Sequence, residues 1–556
     1  MKIELVTRYE RHADLFRRTV AKRIVAEFSP GGLKIILDVD GSLGEESYRV
    51  NAVPGGFEVL GGDEPGLYFG MGKLLHSARW TQTDFYPKPT DGTVSPACAF
   101  RAIYFAVHFY NWYQNAPSGE LEEYLEELML WGYNTIVVIV PVVNSSSLKD
   151  PVFTDNAAKA NKLLLLAKKL GMKKGLIVGP NQGFNTLPEE LAADPSYDPL
   201  EKRGQSGKNV CLHKPGAADY MKKIYRGSFE AVKEAGLDYI ITWPYDEGGC
   251  GCEKCRPWGA NGYLYGASMI RECALEFFPK AKYIVSTWFF DTPDSGEYEG
   301  LYKRIREDLG WVDMIMTDDP FGSMPRYVLD HEPVRPVLNF PEISMWKLYP
   351  WGGLGVNPMP ERFQGFWRGA KRVLGGGMPY SEGIYEDISK IQCLGYYWDP
   401  EADWRDILGE YANYEFGYEA IDAALEMMAL MEKNHVTTGM REDPDPEWSK
   451  RLGELARETD GKLTPKRRRS WRWRLTYIRA ILDEKRHAWF FSHNCRGESD
   501  LWILRYYSGA LLADDAEAQK LFKELFDTYH CSRANGENRW TLPPTSGNSI
   551  MSSTVQ

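Results

Sequence analysis

Asp246 and Glu247 stand side by side at the end of the apolar run Tyr239-Ile-Ile-Thr-Trp-Pro-Tyr245. A second apolar run, Arg335-Pro-Val-Leu-Asn-Phe-Pro, ends in Glu342. Two carboxyl groups brought to one place can cleave a glycosidic bond. One protonates the departing oxygen while the other attacks the sugar or activates water, and their separation sets the stereochemistry. Glu247 suits the proton donor, because the Asp246 carboxylate and partial burial would both raise its pKa toward neutrality. Glu342 then suits the nucleophile or base. Asp246 would tune Glu247, steer a substrate group or cap a helix.

Such a pair works only if the fold gathers it. From Arg101 onward, strand-like runs at 102–107, 135–140, 175–178, 239–243, 283–287, 313–317, 336–340 and 374–379 alternate with helical patterns at 121–130, 157–170, 217–235, 265–278, 298–309 and 361–373. Eight strands with intervening helices predict a (β/α)8 TIM barrel, an α/β fold that carries strand-end residues around one mouth whatever their distance in sequence. The residues that follow the strands are rich in acids, amides and aromatics. They include His108, Asn181, Gln182, Tyr245, Trp288, Asp318, Glu342, Trp346, Tyr380 and Glu382. Taken singly, a strand-end acid also serves to cap a helix or pair with an Arg; their co-location is what points to chemistry. Tyr245, Trp288, Trp346 and Tyr380 would form a sugar platform, with Asp246, His108, Asp318 and Glu382 as further substrate contacts. Glu382 competes with Glu342 for the nucleophile's role.

Around this barrel, residues 1–95 read as a small N-terminal α/β domain, 96–400 as the barrel and 401–556 as a helical C-terminal domain. Two strand-like runs and the Gly-rich helix starting near Gly66 mark the first, and 86–92 reads as a linker. Amphipathic patterns at 421–433, 447–459, 470–491 and 514–529 mark the last, for packing, dimerisation or lining one side of the site.

The chain has 556 residues, 43% hydrophobic and 26% charged, and a net charge of −11. An acidic balance argues against a nucleic-acid partner, which needs a basic surface. No run reaches the ~18 apolar residues of a membrane span. The charged start Met1-Lys-Ile-Glu-Leu-Val-Thr-Arg has no signal-type apolar stretch, and a cytoplasmic, reduced protein is expected. Catalysis by two carboxylates requires no cofactor. The segment Cys250-Gly-Cys252-Glu-Lys-Cys255, with Cys211 before it, has the thiols for a structural zinc, though C-x-C-x-x-C is not the paired C-x-x-C pattern. A compact Gly-Cys turn with reduced thiols is the alternative. Gly375-Gly-Gly377 lacks the spacing of a phosphate loop.

Three stretches resemble the barrel glycosidases that include β-N-acetylhexosaminidases (family 20), α-glucuronidases (family 67) and family 163 endo-N-acetylglucosaminidases. They are Gly66-Leu-Tyr-Phe-Gly-Met-Gly-Lys-Leu-Leu75, the barrel start at Arg101 with Trp131-Gly-Tyr-Asn-Thr-Ile136, and the Cys-rich loop after Glu247. The resemblance covers roughly residues 30–400. It implies a glycoside hydrolase acting on an N-acetylhexosamine-type oligosaccharide, with Asp246 steering an acetamido group and Glu247 as the acid. An α-glucuronidase-like enzyme for uronic acid-containing oligosaccharides is the alternative within the same resemblance, and family 67 would further imply a homodimer through the C-terminal helices. The sequence departs from family 20 in lacking a His-containing Gly-Gly-Asp-Glu context, and Glu342 looks more like a direct carboxylate nucleophile. A barrel of this kind that binds glycans without cleaving them is the reading from another class.

Overall fold

The structure, a computed structural model, describes residues 1–107, 111–142, 144–194, 209–244, 248–292, 295–317, 323–343, 356–435, 445–492, 512–525 and 528. The N-terminal part is a five-stranded sheet built from β1 (Lys2–Val6), β2 (Glu27–Phe28), β3 (Leu33–Val39), β4 (Tyr48–Val53) and β5 (Gly56–Gly61), in the order β2-β1-β3-β5-β4. Only β4 runs antiparallel, through the short turn to β5. Helices α1 (Glu10–Ala21) and α2 (Glu64–His76) accompany it. Asp63 caps α2 by accepting from the Gly66 amide at 2.7 Å, which satisfies one of the orphan donors of the first turn. The glycines inside α2 are a packing device. A Cβ on Gly72 would lie 1.7 Å from the Leu130 carbonyl oxygen of a barrel helix, so only Gly lets the two backbones touch. Residues 86–92, expected as a linker, instead lie along β4, with the Thr90 amide donating to the Val50 carbonyl at 2.9 Å. A short hairpin of β6 (Arg79–Trp80) and β7 (Phe85–Tyr86) precedes them.

All eight expected barrel strands form: β8 (Phe100–Phe105), β9 (Thr135–Ile139), β10 (Lys173–Val178), β11 (Tyr239–Thr242), β12 (Lys282–Ser286), β13 (Met314–Met316), β14 (Val337–Asn339) and β15 (Leu374–Gly377). Each pairs in parallel with the next, and β15 returns to β8 through Gly376↔Phe100 and Gly377↔Arg101, which closes the barrel. A short β16 (Tyr380–Ser381) continues β15 along β8 and sets Tyr380 beside Tyr104. Alternate side chains point inward: Phe100, Ala102, Tyr104 and Ala106 from the first strand, with Ile241, Ile284, Met316 and Leu338 from others. The intervening side chains pack outward against helices. Burial on both faces explains why the strands read as unbroken apolar runs.

The seam is built closely. Gly376 has φ +143°, and a Cβ there would lie 2.0 Å from the Phe100 carbonyl oxygen. Beside it Arg101 is fully buried and donates to the Gly132 carbonyl (2.9 Å), the Cys98 carbonyl (2.8 Å) and Glu46 (2.8 Å). Its guanidinium also lies over the Trp398 ring, 4.7 Å from the centroid. Burial pushes the Glu46 carboxyl up, but Arg101 and Lys173 outweigh it and hold it below its ordinary value.

The barrel helices are α3 (Trp112–Asn115), α4 (Ser118–Trp131), α5 (Pro151–Lys169), α6 (Ala217–Val232), α7 (Gly262–Leu275), α8 (Glu297–Glu307), α9 (Arg326–Asp330), α10 (Pro360–Ala370) and α11 (Asp387–Trp398). Helices α12 (Trp404–Glu415), α13 (Ile421–Lys433), α14 (Pro446–Lys462), α15 (Pro465–Arg468), α16 (Trp471–Ser492) and α17 (Ala516–Glu524) follow. No described helix is long and apolar enough to cross a membrane. His76 joins three of these parts: its ring stacks on Trp131 of α4 at 3.7 Å and meets Tyr414 of α12 edge-on at 4.4 Å. In the helical part, His487 contacts Ser449 beside the buried cluster of Arg479, Asp483 and Arg486.

Burial depresses both histidines, His76 well below its ordinary value and His487 to about 3, with neighbouring arginines adding to the effect. Below pH ~6.5 the unfolded chain binds protons that these folded rings refuse, so stability falls as pH drops through that value. The expected outcome is a Tm that declines between pH 7.5 and 5 as the unfolding free energy falls by at most about 1.4 kcal/mol per pH unit for each ring. A His76→Phe variant should show a shallower slope in the same melts.

Candidate active site

The carboxyl ends of the barrel strands converge on an aromatic floor. Trp243 lies 4.9 Å from Phe340 and 5.6 Å from Trp288, and Phe340 lies 5.9 Å from Tyr380, measured between ring centroids. Tyr104 completes the floor at 5.4 Å from Tyr380. The barrel's alternation explains this set. Tyr104 and Tyr380 are inward residues of β8 and β16, and Trp243 and Phe340 directly follow β11 and β14 in the same interior cluster. The Trp288 indole N–H is buried with no acceptor among the described residues. An oxygen-rich ligand seated on the floor would give it one.

Two acids flank Tyr380. Glu342 follows β14 and pairs by a backbone bridge with Tyr380, whose amide donates to the Pro341 carbonyl at 2.9 Å. Glu382 accepts from the Tyr380 hydroxyl at 2.8 Å. Burial drives the Tyr380 phenol far above its ordinary pKa, and the charges of Glu382 and Glu342 push it further the same way. Tyr380 therefore stays a protonated donor between two carboxyl groups, both half-buried. Trp288, Glu342, Tyr380 and Glu382 are thus brought together. Tyr245, Asp246, Glu247, His108, Asp318 and Trp346 lie outside the described residues. Their flanks are fastened: Asn181 donates to the Gly248 carbonyl at 3.3 Å, and Asn111 donates to the Ala106 carbonyl at 2.8 Å while capping α3.

Beneath Glu382 lies a network that sequence reasoning missed. Lys390 of α11 is fully buried and donates to the hydroxyls of Tyr113 (2.8 Å) and Tyr124 (2.7 Å) and to the Gly383 carbonyl. Glu386 accepts from Ser381 (3.0 Å) and the Gly383 amide (3.1 Å) and lies 3.8 Å from Lys390. Asp387 accepts from Tyr124 and Tyr411, both at 2.9 Å, and from Arg472 of α16 at 2.6 Å. Burial drives the Glu386 carboxyl up and the Lys390 ammonium down to about 8, against their mutual attraction. Burial also works to raise Asp387, but Arg472 outweighs it and holds the carboxyl below its ordinary value. This network holds both sides of Glu382, through Ser381 and Gly383. In the sequence Lys390 sits in a helix that also carries Asp387, Ser389 and Gln392, so nothing marks it.

The four cysteines also converge. The sulfurs of Cys211, Cys250, Cys252 and Cys255 all lie within 4.8 Å of one another, behind the loop that follows β11. Trp258 closes that loop, donating from its indole to the Pro244 carbonyl at 2.6 Å.

No protein-family model and no curated protein matches the sequence. Solved structures do match in fold. A family 115 4-O-methyl-α-glucuronidase with specificity for decorated arabinogalactans matches with TM-score 0.60 and 13% identity, over 96% of this chain and 77% of that one. A family 89 hydrolase from Clostridium perfringens, in complex with its substrate GlcNAc-α-1,4-galactose, matches with TM-score 0.58 and 12% identity, over 93% of this chain and 65% of that one. A family 20 β-N-acetylglucosaminidase matches with TM-score 0.50 and 12% identity, over 74% of this chain and 92% of that one. At such identity the likeness is one of fold: these glycoside hydrolases share the architecture of this chain.

Removing Lys390 would leave the buried Glu386 carboxyl without its cation and take one donor each from the Tyr113 and Tyr124 hydroxyls and the Gly383 carbonyl. Lys390→Met is expected to lower stability by about 3–5 kcal/mol in urea unfolding. The Glu386→Gln/Lys390→Met pair should cost less than the sum of the single variants, because the two groups act as one unit.

Proposed function

We propose that the chain is a glycoside hydrolase that cleaves an N-acetylhexosamine-type glycan with two carboxyl groups. The observation that carries this reading is the convergence of Glu342 and Glu382 on Tyr380 above the aromatic floor of Trp243, Trp288 and Phe340. An apolar sugar face stacks on such rings, and a carboxylate beside it can meet the anomeric carbon. Glu342 is the nucleophile in this scheme, and Glu247, at the end of the fourth strand, protonates the leaving oxygen. Asp246 tunes Glu247 or steers the acetamido group. The Tyr380 hydroxyl orients Glu382, which contacts substrate hydroxyls, and the Trp288 indole N–H donates to a sugar oxygen. His108, Asp318, Tyr245 and Trp346 are assigned to the same substrate rim by their positions after strands.

The fold shared with a family 89 enzyme seen with a GlcNAc disaccharide, and with a family 20 N-acetylglucosaminidase, supports the substrate class. The fold shared with an α-glucuronidase supports the same chemistry on a uronic acid.

Aryl glycosides bearing acetamido, carboxylate or plain hydroxyl groups should be cleaved with the acetamido series fastest. Glu247→Gln and Glu342→Gln are each expected to lower kcat at least about a hundredfold with an unchanged circular dichroism spectrum. A large loss in Glu382→Gln with little change in Glu342→Gln would exchange the roles of those two acids. Preference for the carboxylate series would make the substrate a uronic acid. Binding without turnover across the whole panel would make the barrel a glycan-binding protein.

A further inference from the structure

The proposed reaction makes no use of the four thiols behind the mouth, yet the fold assembles them from two separate loops. Cys211 precedes α6, and Cys250, Cys252 and Cys255 lie between β11 and α7. We propose that these four cysteines bind one zinc ion, a structural centre that fixes the loop following Glu247.

The geometry is that of a tetrahedral thiolate site. Zinc–sulfur bonds of ~2.3 Å place sulfurs about 3.8 Å apart along the edges of a tetrahedron. Cys211 and Cys252 stand at 3.6 Å, and all four sulfurs fall within 4.8 Å of one another. All four are free cysteines, and the 3.6 Å between Cys211 and Cys252 is far longer than a covalent S–S bond of ~2.05 Å. The backbone amide of Asp194 donates to Cys250 at 3.4 Å. On binding, each S–H gives its proton to solvent and its electron pair to the metal, which stays divalent, so no redox partner is needed. Four protein ligands, three of them buried, leave no open position for water or substrate, which makes the centre structural. The His213 ring stays out of the set, stacked on Tyr265 at 4.8 Å.

The consequence for the mouth follows from chain length. Cys250 is the third residue after Glu247, a tether of at most about 11 Å. The neighbouring Gly248 is held by Asn181, so the centre would restrain the acid-bearing loop from its downstream side. The metal assignment does not depend on the proposed reaction.

The test is elemental analysis of the full chain purified from zinc-replete medium, in buffer free of chelator. One zinc per chain is expected, released when a mercurial titrates the thiols. Cobalt exchanged into the site should give the visible d–d bands of tetrahedral cobalt with thiolate charge transfer. Cys252→Ser, at the most exposed of the four positions, should surrender zinc to a chelator at least about tenfold faster, the loss that even an outer-shell partner brings. Cys393→Ser, outside the cluster, should keep its zinc. A normally folded chain without zinc, a non-reduced mass showing disulfides among these cysteines, or iron in place of zinc would each overturn the proposal.

Discussion

Closure of the barrel at the seam between its first and last strands governs everything above it. Parallel strands cannot leave an edge exposed without unpaired backbone groups, and here the last strand, β15, turns back onto the first, β8. The approach is close enough that Gly376 admits no side chain. Arg101, on the first strand at the same level, is locked by three hydrogen bonds to Glu46, Cys98 and Gly132. Breaking a buried pair of this kind from one side typically costs about 3–5 kcal/mol. Because Glu46 comes from the N-terminal part and Gly132 from the end of α4, one guanidinium ties that part, the barrel and the seam together. With the seam closed, β16 falls beside β8, and Tyr380 beside Tyr104.

The mouth is then supported differently on its two sides. Under the eighth and first strands, the support is ionic and hydroxylic: Lys390, Glu386 and Asp387 are buried with Tyr113, Tyr124 and Arg472. Charges so placed are costly to desolvate, but each has several partners, which fixes Ser381 and Gly383 on either side of Glu382. A side chain supported by such an outer layer keeps its geometry. On the fourth-strand side, the support includes the Trp258 indole bond to Pro244 and the cluster of four sulfurs. A thiolate centre suits a Gly-rich loop, because it orders a segment that has few side chains to pack.

The helical part belongs to this support. Arg472 of α16 reaches Asp387 under the eighth strand and also pairs with Glu127 of α4 at 2.8 Å. The C-terminal helices are therefore bound into the barrel wall, and the rigidity of the Glu382 loop depends on residues nearly a hundred positions later in the chain.

Eight barrel strands and most helices were legible in the residues, because a strand buried on both faces must be apolar throughout and the helices between them repeat with their own period. Glu342, Tyr380, Glu382 and Trp288 could be nominated for the same reason: each directly follows such a run. The strand ends shifted by a residue or two, since pairing with neighbours, which is non-local, sets where a strand stops. In the N-terminal sheet, β1, β2 and β5 escaped notice, as short or half-polar strands whose identity comes from their partners. The Gly375–Gly377 run carried no sign of its purpose, because the need for it lies on Phe100, Asn339 and Tyr397, far away in sequence. Lys390 and Arg472 were equally silent: a charge inside a helix looks like any other until folding shows whether water or a carboxylate meets it. Local patterns of polarity are written in the chain, whereas the partners that give a buried charge, a close-packed glycine or a thiol its role are assembled by long-range contacts.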